Sequence, residues 1–253
     1  MRQAKIKNIP IKVKLIVLGH LLEPINLSKI KNWRSKLFSI SGEIEHLTID
    51  TKTDGYERNF PDEDIREHLS RSDFNENIAI AVTNVSLQGY FITRPIFPNI
   101  VVLSFNDVAK MLKDEHIPLE SLILRILYSI SFLYVGFGNR LPSIFEAMQI
   151  NHTETRGCLF DICLNRTDIV YSTKKAVICK QCVSKLEGLA MRSSFIETVN
   201  KELQGIKKGQ YYRIADFVKQ QPLLAISIST AIALIVGVVG SLLASWILET
   251  AKH

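Results

Sequence analysis

The sequence lacks several features that would assign it a partner or a secreted location. Lys12 and Lys14 interrupt its amino-terminal apolar stretch, so the run at 15–19 is too short for the hydrophobic region of a secretory signal. No helix rich in lysine and arginine and interleaved with aromatic residues is present. A nucleic-acid-binding role is therefore not expected, despite the net charge of +6. Internal repeats and low-complexity segments are also absent.

Charged residues are absent from the segment 223–248, which reads LLAISISTAIALIVGVVGSLLASWIL. As a helix it would extend about 39 Å, at about 1.5 Å per residue, and would cross a hydrocarbon core of about 30 Å with some tilt. A helix of this length in a soluble core would normally carry a charged face. The segment therefore predicts a transmembrane helix followed by a short tail, residues 249–253.

Basic residues precede this apolar segment. Residues 201–222 hold five lysines and arginines against two acids, and positive flanks stay in the cytoplasm. We therefore expect a tail-anchored, single-pass membrane protein whose large amino-terminal part is cytoplasmic. The bases are either an ordinary solvated surface or face the anionic lipid head groups of the bilayer. The membrane-proximal set is Lys207, Lys208, Arg213 and Lys219.

Small residues recur every four positions within the apolar segment. Gly237, Ser241 and Ser245 continue a series that begins with Ser229 and Ala233. Small residues on one stripe allow two membrane helices to approach closely, which would favour a homo-oligomer. Ordinary small-residue content in a membrane span explains the same pattern equally well.

The four cysteines all lie in one short region, in the pattern C-x4-C-x15-C-x2-C. Two short-spaced pairs joined by a loop are typical of a closed, tetrahedral zinc site with a structural role. The alternatives are buried free thiols and a redox pair, whereas a structural disulfide is not expected in a reducing cytosol. The predicted ligands of one structural zinc ion per chain are Cys158, Cys163, Cys179 and Cys182.

Strand-like and helix-like segments alternate along the first part of the chain, which predicts an α/β fold with a mostly parallel sheet. The domain is expected over residues 1–186, with the zinc site at 158–182 and a basic linker or helix at 187–222. The predicted strands are 12–19, 42–50, 78–86 and 100–105. The predicted helices are 26–38, 62–72, 106–113, 118–136 and 142–148, with a loop at 51–61.

The order of these segments resembles that of the archaemetzincins, which are small zinc peptidases of the metzincin type. Residues 82–87 (VTNVSL) are similar to the V-T-D-V-D-L strand of that family, and residues 101–105 (VVLSF) to its V-V-S-L strand. Residues 119–136 stand where the active-site helix belongs. The cysteines resemble the second metal site of the family, with the x4 and x2 spacings retained. The resemblance covers roughly residues 12–185 and implies a metzincin-like fold.

The resemblance also implies a catalytic zinc, which the family binds with the helical motif HExxHxxGxxH. If Gly136 takes the position of the motif glycine, the two ligand positions hold Ser129 and Leu133 and the base position holds Ile130. No shift of the motif within residues 121–138 helps, because that stretch contains neither histidine nor glutamate. The catalytic motif is therefore absent in this register.

A second register, counted back from the first cysteine, also lacks the motif. It places Ala147, Met148 and Asn151 at the ligand and base positions. The family's third histidine directly precedes the first cysteine, and Gly157 holds that position here. His152 is the nearest candidate for a vestigial ligand, although it also fits an ordinary loop residue.

We therefore expect a membrane-anchored, metzincin-like pseudoenzyme that binds zinc structurally. Its groove would bind a peptide or protein partner at the cytoplasmic face, because a cleft beside a sheet edge can retain binding after the chemistry is lost. Two alternatives are a metallopeptidase with non-standard ligands and an oligomerising single-pass membrane effector.

Overall fold

A computed structural model of the chain describes residues 10–49, 60–206 and 210–250. The chain divides into two compact units, Met1–Lys207 and Lys208–His253. The predicted linker is divided between them, since the first unit continues well past residue 186. Each unit is described by itself.

A six-stranded sheet forms the centre of the first unit, in the order β2-β1-β4-β6-β5, with β3 also pairing with β1. All pairs are parallel except that of β5 and β6, so the predicted mostly parallel α/β class is confirmed. The short strands β2 and β5 were not predicted. The strands are β1 (Ile11–Leu18), β2 (Phe38–Ile40), β3 (Glu45–Leu47), β4 (Ile78–Thr83), β5 (Thr93–Phe97) and β6 (Ile100–Ser104).

Apolar residues cover both faces of the sheet. Alternate residues of a strand point to opposite faces. In β4, Ile80 and Val82 belong to the larger apolar core, whereas Ala79 and Ala81 belong to a smaller one on the other face. All six residues of β4 are buried. A strand with both faces covered is therefore apolar throughout instead of alternating.

Eight α-helices accompany the sheet in the described part of the first unit. The helix α2 contributes Ile65 and Leu69 to the smaller core, and α4 lies within the larger core with most of its residues buried. The helices are α1 (Leu27–Lys31), α2 (Asp62–Leu69), α3 (Val108–Asp114), α4 (Leu119–Gly136), α5 (Ile144–Ala147), α6 (Asp168–Lys174), α7 (Lys180–Gly188) and α8 (Ser193–Leu203).

The structure bears on three further predicted segments. The predicted helix 26–38 is wrong beyond Lys31: the side chain of Asn26 caps α1 as expected, but the chain then leaves the helix and Phe38 begins β2. Most of the predicted loop at 51–61 lies outside the described residues. The region expected to be a linker includes α8, whose residues Ile196, Val199 and Leu203 belong to the larger core.

The second unit contains α9 (Gln210–Gln220) and α10 (Pro222–Thr250). Over Pro222–Ala244, α10 is long and apolar enough to cross a membrane and has no buried residues. Helix α4 passes the same test, but it is largely buried and serves as a core helix. One C-terminal helix is therefore a candidate membrane span.

The residues predicted to act near the membrane lie on these two helices or just before them. Arg213 and Lys219 are exposed on α9. Lys207 and Lys208 lie outside the described residues. The small-residue series lies on α10, and self-association through it stays a prediction. Its last three members are Gly237, Ser241 and Ser245.

Candidate metal centre and adjoining cavity

Three cysteines and one histidine form a compact group of metal-binding side chains. The candidate ligand atoms of His152, Cys158, Cys179 and Cys182 all lie within 4.8 Å of one another. Three of the four residues are buried, and Cys179 is half-buried. A group of three thiols and one imidazole is one of the standard donor sets of structural zinc sites.

The second cysteine pair is positioned by the start of α7. Cys179 is the N-cap residue, and its sulfur accepts a hydrogen bond of 3.5 Å from the backbone N–H of Cys182 in the first turn. The C-x2-C spacing thus brings both sulfurs to the same helix end.

The other two members come from the loop that follows α5. A parallel bridge joins Cys158 to Val177, and another joins His152 to Asp161. Gly157, directly before the first cysteine, has a φ of +87°, a left-handed conformation that side chains other than glycine rarely adopt. The loop therefore turns at Gly157 and directs Cys158 into the core.

The sulfurs of Cys158 and Cys182 are 3.7 Å apart and are joined by a hydrogen bond. The hydrogen bond from Cys182 lowers the pKa of the Cys158 thiol to about 4, and the same bond raises the pKa of Cys182. A bound metal would take the place of this hydrogen bond, since metals bind thiolates.

The distances within the group fit a tetrahedral zinc ion. Zinc–sulfur bonds of ~2.3 Å and zinc–nitrogen bonds of ~2.05 Å imply tetrahedral edges of about 3.8 Å between two sulfurs and about 3.6 Å between sulfur and nitrogen. The sulfurs of Cys158 and Cys182 are 3.7 Å apart, and Cys179 Sγ is 3.5 Å from His152 Nε2. The residues present therefore fit zinc, and four protein donors would leave no open position for water.

A carboxylate accompanies the histidine on its other side. His152 Nδ1 lies 3.3 Å from Glu154 Oε2, close enough for an ion pair but outside hydrogen-bonding geometry. Metal-bound histidines commonly face a carboxylate through their second nitrogen, which fixes the ring orientation. Glu154 is placed for that role.

Cys163 lies outside this group, which differs from the predicted set of four cysteines. Its sulfur is 3.5 Å from the hydroxyl of Ser172 on α6 and 3.8 Å from a guanidinium nitrogen of Arg125. The backbone of Cys163 is left-handed, with a φ of +55°, and its N–H donates to Asp161 Oδ1. Burial raises the pKa of the Cys163 thiol. This cysteine is a buried thiol in another environment, and His152 takes the fourth position.

Arg125 is a buried cation on α4. It donates to the carbonyl oxygens of Leu159 and Asp161, while Glu120 accepts from the backbone N–H of Asn26. Its Nε has no hydrogen-bond partner within the described part of the chain. Burial lowers the pKa of this guanidinium, and nearby groups, Cys163 first, partly offset the effect.

Arg125 lines a cavity of about 470 Å³. The walls come from α4, from α5, from the edge strand β5 and from the loop residues 159–164. This loop directly follows Cys158, a member of the metal group. The same segment therefore connects the metal group to a wall of the cavity. A volume of this size is typical of sites for small ligands or a few residues of a peptide.

The residues that the archaemetzincin resemblance placed at the catalytic positions line this same cavity in both registers. No histidine or glutamate is among the described residues that line it. The two sets are Ser129, Ile130 and Leu133 on α4, and Ala147, Met148 and Asn151 near α5. The sequence thus predicted residues that form the cavity wall. It named His152 only as a possible vestigial ligand of a catalytic zinc, because no local sequence signal predicts the bridge to Asp161 that brings His152 close to the sulfurs.

Comparison with known proteins gives one distant similarity. No family model and no curated protein matches the chain. The structure is similar to the crystal structure of an archaemetzincin from Methanopyrus kandleri, with a TM-score of 0.43 and 13% sequence identity over 72% of this chain and 96% of that chain. A similarity of this extent establishes neither family membership nor activity.

Proposed function

We propose that this chain is a membrane-anchored, non-catalytic binding module. One zinc ion, held by His152, Cys158, Cys179 and Cys182, would stabilise its metzincin-like α/β unit. The cavity beside α4 would bind an extended apolar peptide or protein segment. The candidate span in α10 would hold the unit at the cytoplasmic face of a membrane.

The observation that carries the proposal is the exposed apolar rim of the cavity. Five large apolar side chains that line it are between 45% and 80% exposed to solvent. Contiguous exposed apolar surface around a cavity is typical of a binding site. The rim residues are Phe91, Ile144, Met148, Ile162 and Leu164.

The edge strand β5 offers backbone groups to the same ligand. Thr93, Arg94 and Pro95 line the cavity, and β5 pairs with β6 alone among the described strands. An extended peptide can add to such an edge while its alternate side chains enter pockets. Pro95 has no N–H, so the peptide would obtain only part of a normal strand ladder.

The chemistry of the site supports binding without catalysis. A catalytic zinc needs three protein ligands, an open position and a proton-transfer group. The metal group here has four protein donors, and the described lining of the cavity has no histidine or glutamate. Gly157 also stands where the family has its third histidine, and it offers no side chain to a metal. When bound, the metal would supply folding energy and fix the loop that forms one cavity wall.

Binding is tested with the full chain in lipid nanodiscs and a pool of fluorescein-labelled apolar eight-residue peptides. Leu164→Asp on the rim should weaken binding at least tenfold, because a charge would have to be desolvated on contact. Leu22→Asp is the matched control, since Leu22 is 79% exposed and outside the cavity, whereas Leu164 is 80% exposed. Equal binding by both variants, or no peptide binding at all, would refute the proposal.

Catalysis is tested on the same preparation, with casein and Zn²⁺, Mn²⁺ or Co²⁺. We expect no cleavage. Metal-dependent cleavage by the unmodified chain would instead support the metallopeptidase alternative.

A further inference from the structure

Two buried polar atoms in the cavity have no partner. Arg125 is 4% exposed and Asp161 is 8% exposed, and both line the cavity. The Nε of Arg125 and the Oδ2 of Asp161 form no hydrogen bond within the described residues, and the two side chains form no ion pair with each other. Unpaired buried polar groups are rare in folded proteins, because each has lost its hydrogen bonds to water without gaining another.

The other charges of the cavity are already compensated. Arg94 forms an ion pair of 2.8 Å with Asp62 of α2, and Arg166 pairs with Asp107. Arg125 is thus the arginine of the lining that has no carboxylate partner among the described residues. Most of the residues that line the cavity are apolar, which strengthens the attraction of this guanidinium for an anion.

A ligand that satisfies both atoms must bring an anionic acceptor and a hydrogen-bond donor close together. The last residue of a peptide has this arrangement, because its carboxylate and its backbone N–H are joined through one Cα. A fatty acid has the carboxylate without the donor. An internal peptide segment has the donor without the charge.

We propose that the cavity binds the free carboxyl terminus of an apolar peptide, with the terminal carboxylate on Arg125 and the last backbone N–H on Asp161. This inference rests on the proposed peptide-binding function and names its ligand class. The apolar rim would contact the preceding side chains. Recognition of the chain end through an arginine also explains why Arg125, a buried cation, lines the cavity.

The test compares three forms of one labelled peptide, fluorescein-Gly-Ala-Leu-Leu-Val-Leu, on the full chain in nanodiscs. The free carboxylate should bind at least tenfold more tightly than the carboxamide or the methyl ester, since the neutral ends lose a charge-assisted hydrogen bond. Decanoate and free leucine are the competitors, and neither should displace the peptide at concentrations near its Kd. This comparison uses only the unmodified protein, so its result does not depend on whether a variant folds.

Two variants assign the preference to its residues. Arg125→Met should reduce the carboxylate-to-amide ratio to about one, whereas Arg125→Lys should retain part of it. Asp161→Asn leaves an oxygen for the Cys163 N–H and should weaken all three peptide forms alike. Circular dichroism and the melting temperature of each variant establish that it is folded.

The outcomes separate the two proposals. Equal binding of carboxylate and amide would overturn the role of Arg125 and leave the peptide-binding function standing. Absence of binding by every peptide form would overturn both. Displacement by decanoate or leucine at low concentration would identify a small carboxylate as the ligand and would also overturn the inference.

Discussion

The Nε2 atom of His152 lies 3.5 Å from the sulfur of Cys179, close to the edge length of a tetrahedral zinc site. The two residues are 27 positions apart in the chain and meet because the loop after α5 pairs through His152 and Asp161. This contact identifies His152 as the fourth member of the metal group.

The ligand set makes a direct prediction about metal content. The full chain should contain one zinc ion, and His152→Ala and Cys179→Ser should each lose it and melt at a much lower temperature. A structural zinc contributes ~10–16 kcal/mol of binding free energy in small zinc-finger peptides, so its loss removes folding energy. Plasma mass spectrometry and differential scanning calorimetry measure the two effects.

Cys163→Ser is the matched control for that prediction. Its sulfur contacts Ser172 and Arg125 rather than the metal group, so the variant should keep its zinc. Loss of zinc in this variant, with retention in His152→Ala, would restore the four-cysteine set that the spacing predicted.

The sequence was informative where the signal is local. The C-x2-C spacing places two sulfurs at the start of α7, and the continuous apolar run of β4 indicates a strand with both faces buried. The fourth ligand could not be found this way, because it depends on a loop bridge between His152 and Asp161. The edge strand β5 was missed for a similar reason: Pro95 interrupts a typical strand pattern, and long-range pairing with β6 overrides it.

A hydrogen-bond chain connects three distant parts of the first unit and predicts a stability effect. The indole N–H of Trp33 donates to the hydroxyl of Tyr128, which in turn donates to Glu202 of α8, both at 2.9 Å. Tyr128→Phe would leave the Trp33 indole N–H without its acceptor, while Glu202 would keep the hydrogen bond from the Lys36 N–H, and it should lower the free energy of unfolding by about 1–3 kcal/mol. Urea unfolding followed by tryptophan fluorescence measures the change.

Tyr171→Phe is the control for this hydroxyl. Its ring is 52% exposed and contacts Arg156, so water can replace any bond that its hydroxyl makes. An equal effect of both substitutions would show that the chain through Tyr128 adds nothing to stability.

The carboxyl of Glu146 gives a prediction about pH. The hydrogen bond from Arg140, with a backbone bond from Ser143, lowers the pKa of Glu146 from 4.5 to about 2. Since the folded pKa lies below the unfolded one, the stabilisation is present above pH 4.5 and is lost as pH falls through about 2. NMR titration should show Glu146 ionised down to about pH 2, and Arg140→Gln should move its pKa toward 4.5. Arg192 is exposed, and Arg192→Gln is the control, which should leave the pKa of Glu146 unchanged. A pKa shift in this variant would mean that the overall charge of the protein, and not the bond from Arg140, lowers the pKa.

The charge asymmetry around α10 predicts both anchoring and orientation. The full chain should require detergent, whereas residues 1–219 should remain in solution after ultracentrifugation, because α10 carries the exposed apolar surface. Ile235→Lys near the middle of the helix should release a large share of the protein, since a lysine at the centre of a span raises the free energy of insertion by about 2.5–3.5 kcal/mol. Ser193→Lys, which lies on α8 and outside α10, is the control.

Five bases against two acids in residues 201–222 predict that the large unit is cytoplasmic. Protease added to intact cells should therefore leave it uncut, and should cut it after permeabilisation. Cleavage in intact cells would reverse the orientation, and a soluble full chain would remove the anchor altogether.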